Sequence, residues 1–138
     1  MNSRNNHNTE AMKTRLLFKA STIIEVVTGL ALLVTPTLVV GLILGDGVSP
    51  IGVALARVLG VAVLSLGVAG WESPGQDIRL APRAGLCIYN IGAAIMFVIL
   101  GTYGGMNGIL LWPTAVLHAV IGASMLWVIL VPSQKATG

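Results

Sequence analysis

Charge is what this chain has least of. Only 9% of its 138 residues are Asp, Glu, Lys or Arg, against roughly 25% in soluble domains. A water-facing surface cannot be built from so few charges, so a soluble globular protein is excluded first. The net charge of +3 does not point to nucleic acid either, because the basic residues flank apolar segments instead of gathering into one patch. Cysteine is nearly absent: Cys87 stands alone. A single thiol excludes an internal disulfide, a CxxC redox pair and a multi-cysteine metal site, and its apolar surroundings make it a small core residue. Aromatic residues amount to 5%. No cleavable signal peptide is evident, since the first apolar run is too long and lacks a small-x-small cleavage site.

Long apolar runs fill the space left by the missing charge. A membrane-spanning helix needs roughly 20 apolar residues, and four stretches qualify: about 16–34, 51–71, 84–102 and 109–131. Pro36, Pro50, Pro113 and Pro132 fall at or near their ends, where proline stops or opens a helix. Residues 1–13 are polar and Asn-rich and read as a disordered cytoplasmic N-terminus; 14–132 read as a four-helix transmembrane domain and 133–138 as a cytoplasmic tail. The short run 37–44 either prolongs the first helix past a kink or lies along the membrane surface. Short connections predict an all-α, up-down-up-down bundle.

The positions of Lys and Arg predict the orientation. Arg4, Lys13, Arg15 and Lys19 open the first span, Arg79 and Arg83 flank the loop after the second, and Lys135 follows the fourth. All of these fall on one side, which should be cytoplasmic together with both termini. Trp71, Tyr89 and Trp127 should mark the inner interface, and Tyr103 and Trp112 the outer one.

Each span carries one strongly polar residue: Glu25, Arg57, Asn90 and His118. At about 1.5 Å per residue, Glu25 comes out about 14 Å, His118 about 17 Å and Arg57 about 21 Å from the cytoplasmic side of a core about 30 Å thick. Asn90 lies nearer the cytoplasm. Ser21, Thr22, Glu25, Thr28 and Gly29 recur at helical spacing and form a polar stripe. Small residues accompany the polar ones on the other helices: Gly60 and Gly67 share a face with Arg57 and Leu64, Ala93, Ala94 and Gly101 go with Asn90, and Ala115, Ala119 and Gly122 cluster with His118. Small faces pack together in lipid, so the polar groups should point inward. Arg57 cannot shed its charge and is expensive at membrane depth unless matched, so an ion pair with Glu25 is expected, supported by His118, Ser21, Thr28, Tyr89 and Asn90.

Two roles fit such a network. The first is structural: an accessory membrane protein held in register by a Glu25–Arg57–His118 network and associating with itself or with a larger membrane complex in the lipid bilayer. The second is a proton- or cation-coupled transporter of small solutes, or a membrane protein binding a small ligand, quinone included. There Glu25 would accept the proton or cation and His118 would be its proton partner. No metal is expected, because His118 and Glu25 alone cannot complete a ligand set. No cofactor is expected, and no phosphate loop or nucleophile motif is present. An enzyme would need a cofactor the sequence does not reveal.

The combination Glu25-x-x-x-Gly29 with Pro36, Ala56-Arg57-x-x-Gly60 with Gly67 and Trp71, Tyr89-Asn90, Leu111-Trp112-Pro113 and Leu117-His118-Ala119 resembles small bacterial four-helix membrane proteins distantly similar to the DoxX-like family. The resemblance implies a bacterial inner-membrane bundle but no specific activity. Glu25 also matches loosely the first-helix glutamate of small multidrug-resistance transporters. Arg57 departs from that pattern, and stacking aromatics are few.

Overall fold

Prolines set the helix boundaries. In the computed structural model, which describes residues 2–45, 47–71 and 80–131, all regular structure is helical. Five helices follow in order: α1 (Asn2–Val34), α2 (Pro36–Leu44), α3 (Pro50–Ala69), α4 (Leu80–Thr102) and α5 (Leu111–Leu130). Pro36 and Pro50 occupy first-turn positions of α2 and α3, where the missing N–H costs nothing. Ser49 caps α3, its hydroxyl accepting the Gly52 N–H at 3.1 Å. Ser49→Ala should lower stability by about 1 kcal/mol, read as an earlier unfolding midpoint in detergent; an unchanged midpoint would show that this cap carries no weight.

Four helices are long and apolar enough to cross a membrane: Ala11–Val34 of α1, and α3, α4 and α5 whole. Their outward faces carry exposed Leu, Val and Ile, such as Val27, Leu55, Val58, Ile88 and Val120, which suits contact with acyl chains. α1 starts at Asn2, so the segment read as disordered continues the helix. The physical reason is cooperativity: once a long span has nucleated a helix, each added residue extends it at little cost. The tail 133–138 and the polar loop with Glu72, Asp77 and Arg79 lie outside the described residues.

The segment 37–44 is a separate helix and not a prolongation of α1. Thr35 leaves helical geometry, at φ −130° and ψ 56°, and Pro36 restarts the chain. Nine residues are about 14 Å long, too short to span. Gly45 ends α2 in the left-handed region, at φ 87°, with its N–H on the Gly41 carbonyl. Two further carbonyls at this end are taken by the α4–α5 turn: Asn107 N–H donates to Leu44 O at 3.2 Å and Leu110 N–H to Leu42 O at 2.9 Å. These bonds satisfy carbonyls that a helix end otherwise leaves open.

The long helices are arranged as two pairs. The most extensive interfaces are α1 with α3 and α4 with α5, while the pairs touch each other less. The α1–α3 crossing is backbone against backbone at Gly29 and Gly60, and at Gly67 beside Thr22 and Val26. The α4–α5 crossing uses Gly122 against Ile91 in the same way. Thr22 adds a buried hydrogen bond across the first pair, from its hydroxyl to Gly70 O at 3.2 Å. Between the pairs an apolar cluster of Phe18, Leu86, Cys87, Ile121 and Met125 is fully enclosed. The polar residues of the next paragraphs lie one helical turn further along the same seam.

Candidate functional site

The seam between the two pairs brings together α1, α4 and α5. Ser21 and Glu25, one turn apart on α1, are both 0% exposed, as is Asn90 of α4, and His118 of α5 is 5% exposed. The sequence puts them there because their helices present small or apolar neighbours on the same faces: Gly29 on α1, Ala94 on α4, Ala115 and Gly122 on α5.

Asn90 is the hub. Its amide nitrogen donates to Leu86 O at 2.9 Å, to Ser21 Oγ at 3.2 Å and to Glu25 Oε1 at 3.4 Å. Two N–H groups serve three acceptors, so one of them is shared between Ser21 and Glu25. Its amide oxygen lies 2.8 Å from His118 Nδ1. The Leu86 carbonyl can only accept, which fixes the amide nitrogen on that side and the oxygen towards His118. His118 Nδ1 must therefore carry a proton and donate it. In the neutral ring this leaves Nε2 as an acceptor, and Nε2 makes no hydrogen bond to a described residue.

Two aromatic rings enclose the imidazole. Tyr89 meets it edge to face, with centroids 5.7 Å apart, and Phe97 lies at 5.8 Å in a tilted arrangement. The Tyr89 hydroxyl also lies within interaction range of the Glu25 carboxyl group. No hydrogen bond of good geometry closes on Glu25 Oε2, which is buried without a partner. Most buried carboxylate oxygens are bonded, so this atom marks the place where the seam can take one more donor.

Arg57 is not there. It is exposed on α3 and makes no ion pair or hydrogen bond among the described residues. The expected Glu25–Arg57 pair and the Glu25–Arg57–His118 network are thus not formed. The cause is the crossing itself: the buried stripe of α3 is Ala56, Gly60, Val63 and Gly67, and where glycine backbones touch there is no room for a guanidinium. Thr28 is half-buried on α1 and makes no hydrogen bond to the group among the described residues. Tyr89 turns inward, with its ring against that of His118.

Two features had no sequence signal. Phe97 belongs to the wall around His118. Arg83, read as the edge of a loop, is 7% exposed in the first turn of α4, with its guanidinium 4.3 Å from the Phe18 ring centroid. Such a stacked cation is worth about 1–2 kcal/mol when desolvated. Among the described residues no three His, Cys, Asp or Glu side chains gather as a metal centre would require. No protein-family model, curated protein or solved structure matches the chain.

Proposed function

We propose that this chain is a small integral membrane protein of the bacterial inner-membrane type, with four spans running up-down-up-down and both termini in the cytoplasm. Within it the Glu25–Asn90–His118 seam is the acceptor site of a proton- or cation-coupled small-solute transporter. The orientation rests on Lys13, Arg15 and Lys19 at the start of the apolar span Ala11–Val34 of α1 and Arg83 at the start of α4, all on the side that the positive-inside rule places in the cytoplasm. The function rests on one observation: Glu25 is wholly buried, has no cation beside it among the described residues, and keeps one oxygen on which no hydrogen bond of good geometry closes. A carboxyl group placed only to lock helices together would be fully bonded. Intramembrane ionisable residues left open in this way are functional candidates by default.

The polarity of the seam narrows the ligand. Among the described residues Glu25 Oε2 and His118 Nε2 make no hydrogen bond, and each can accept one. They suit a donor such as a protonated amine, a hydrated cation or a proton carried on water. Exchange requires the seam to open, and the thinner contact between the two helix pairs is the plane along which they would part.

A second reading is the structural, accessory one. The full use of both ends of the Asn90 amide favours it, because a saturated hub rigidifies a bundle. Glu25→Gln separates the two. Gln keeps the acceptor for Asn90 and the volume, but cannot exchange a proton. In proteoliposomes with a trapped pH dye, the wild type should release lumenal protons when small organic or inorganic cations are added outside. The Gln variant should not, at a near-normal melting temperature. Undiminished exchange in the variant, or no exchange in either with a clear loss of stability in the variant, would transfer the case to the accessory reading.

A further inference from the structure

We propose that Arg57 is a binding site for the phosphate group of a phospholipid in the leaflet that meets the N-terminal end of α3. Arg57 is the only charged residue of α3. It is exposed, and no described group answers it. It lies seven residues beyond Pro50, the first residue of the helix, hence about 10 Å along the axis. An arginine left in hydrocarbon at that depth costs several kcal/mol, and none of the described residues meets the charge.

Geometry selects the phosphate. Helical side chains lean towards the N-terminus of their helix, and an arginine stem is long and apolar while its head seeks the interface. The residue one turn back in that direction is Ala54, exposed and small, which leaves the stem free to lie along the helix. Leu55 and Val58 beside it are 65% and 67% exposed and give acyl chains an apolar wall. A guanidinium binds phosphate oxygens through two parallel N–H donors. A second copy of the chain is a poorer match. The only carboxylate within the described spans is Glu25, and it is fully buried, so the described spans of a neighbouring copy bring no acid to this depth.

The test is lipid retention by native mass spectrometry in mild detergent. It uses the full chain and its Arg57→Leu and Arg57→Lys variants, with phosphatidylglycerol, phosphatidylcholine and diacylglycerol of the same acyl chains. Leucine is at home on a lipid-facing helix, and a matching helical circular-dichroism spectrum checks the fold. The wild type should hold one more phospholipid than Arg57→Leu, with apparent affinity about fivefold higher, as one surface cation contributes. Phosphatidylcholine should be retained as well as phosphatidylglycerol, diacylglycerol should not be retained, and Arg57→Lys should fall between. Equal retention by Arg57→Leu, equal retention of diacylglycerol, or displacement by millimolar inorganic phosphate would overturn the proposal. So would a dimer mass in the wild type that disappears with Arg57→Leu, since a second copy would then be the partner.

Discussion

Replacing Asn90 with leucine is expected to destabilise the protein by about 2–4 kcal/mol, because two buried groups lose their partners at once. His118 Nδ1 loses its acceptor among the described residues, at 2.8 Å, and Glu25 Oε1 loses the Asn90 donor, at 3.4 Å. The volumes of Asn and Leu are close enough that packing is a minor contribution. An interhelical hydrogen bond in a membrane protein is worth on average only about 0.6 kcal/mol. The effect therefore comes less from bonds lost than from polar atoms stranded where no water reaches them, each costing about 1–3 kcal/mol. That origin makes a second outcome testable. Removing the stranded carboxyl as well, in Asn90→Leu with Glu25→Met, should recover part of the loss, so the two substitutions should be clearly non-additive. Titration of the detergent-solubilised protein with SDS, followed by circular dichroism, reads both quantities. A midpoint for Asn90→Leu within about 0.5 kcal/mol of wild type, the range of an ordinary surface change, would mean that the amide is not the hub of the seam.

The contrast between Asn90 and Arg57 shows what a single sequence can reveal of such a site. The spans were legible because twenty apolar residues bounded by proline have few other uses in a short chain. The inward placement of Glu25 and His118 was legible from the small residues at helical spacing around them. Depth along a helix follows from counting, but rotation about its axis does not. Arg57 and Gly60 are three residues apart and close to one face, yet only one of them fits where α1 and α3 touch. The crossing selected the stripe of Ala56, Gly60, Val63 and Gly67, and that choice turned the arginine outward. The role of Asn90 was hidden for a related reason. Its depth estimate put it nearer the cytoplasm than Glu25, whereas the amide extends between α1 and α5 and joins the two ionisable groups. The Arg83–Phe18 stack joins helices 65 positions apart in sequence, and neither residue type announces such a pairing. α2 was ambiguous because eight apolar residues suit a kinked continuation as well as a separate helix; the Thr35 backbone and the hydrogen bonds to the α4–α5 turn decide it.

Gly29→Ala is the second substitution with a large expected effect, and it tests the pairing on which the seam depends. A Cβ built at Gly29 would lie 2.6 Å from the Leu64 backbone nitrogen and 2.8 Å from the Gly60 carbonyl oxygen. Neither atom can rotate away, so α1 and α3 must move apart. In lipid there is little hydrophobic drive between helices, and close van der Waals packing is the main attraction; separating the backbones forfeits part of it along the whole crossing. The loss should reach about 2–3 kcal/mol, the upper part of the range for overpacked cores. Gly92→Ala supplies the control. Gly92 lies within α4, and a Cβ there meets nothing within 4 Å. Alanine should then stabilise the helix by up to about 1 kcal/mol through lower backbone entropy in the unfolded chain. One substitution type is thus expected to give opposite signs at two helical glycines, read from the same SDS titration; equal shifts at both would show that the α1–α3 crossing is looser than the structure has it. Glu25 precedes Gly29 by one helical turn, so displacing α1 at the crossing carries the carboxyl group with it. Gly29→Ala should therefore also disturb the proton exchange proposed for the seam, whereas Gly92→Ala should leave it intact.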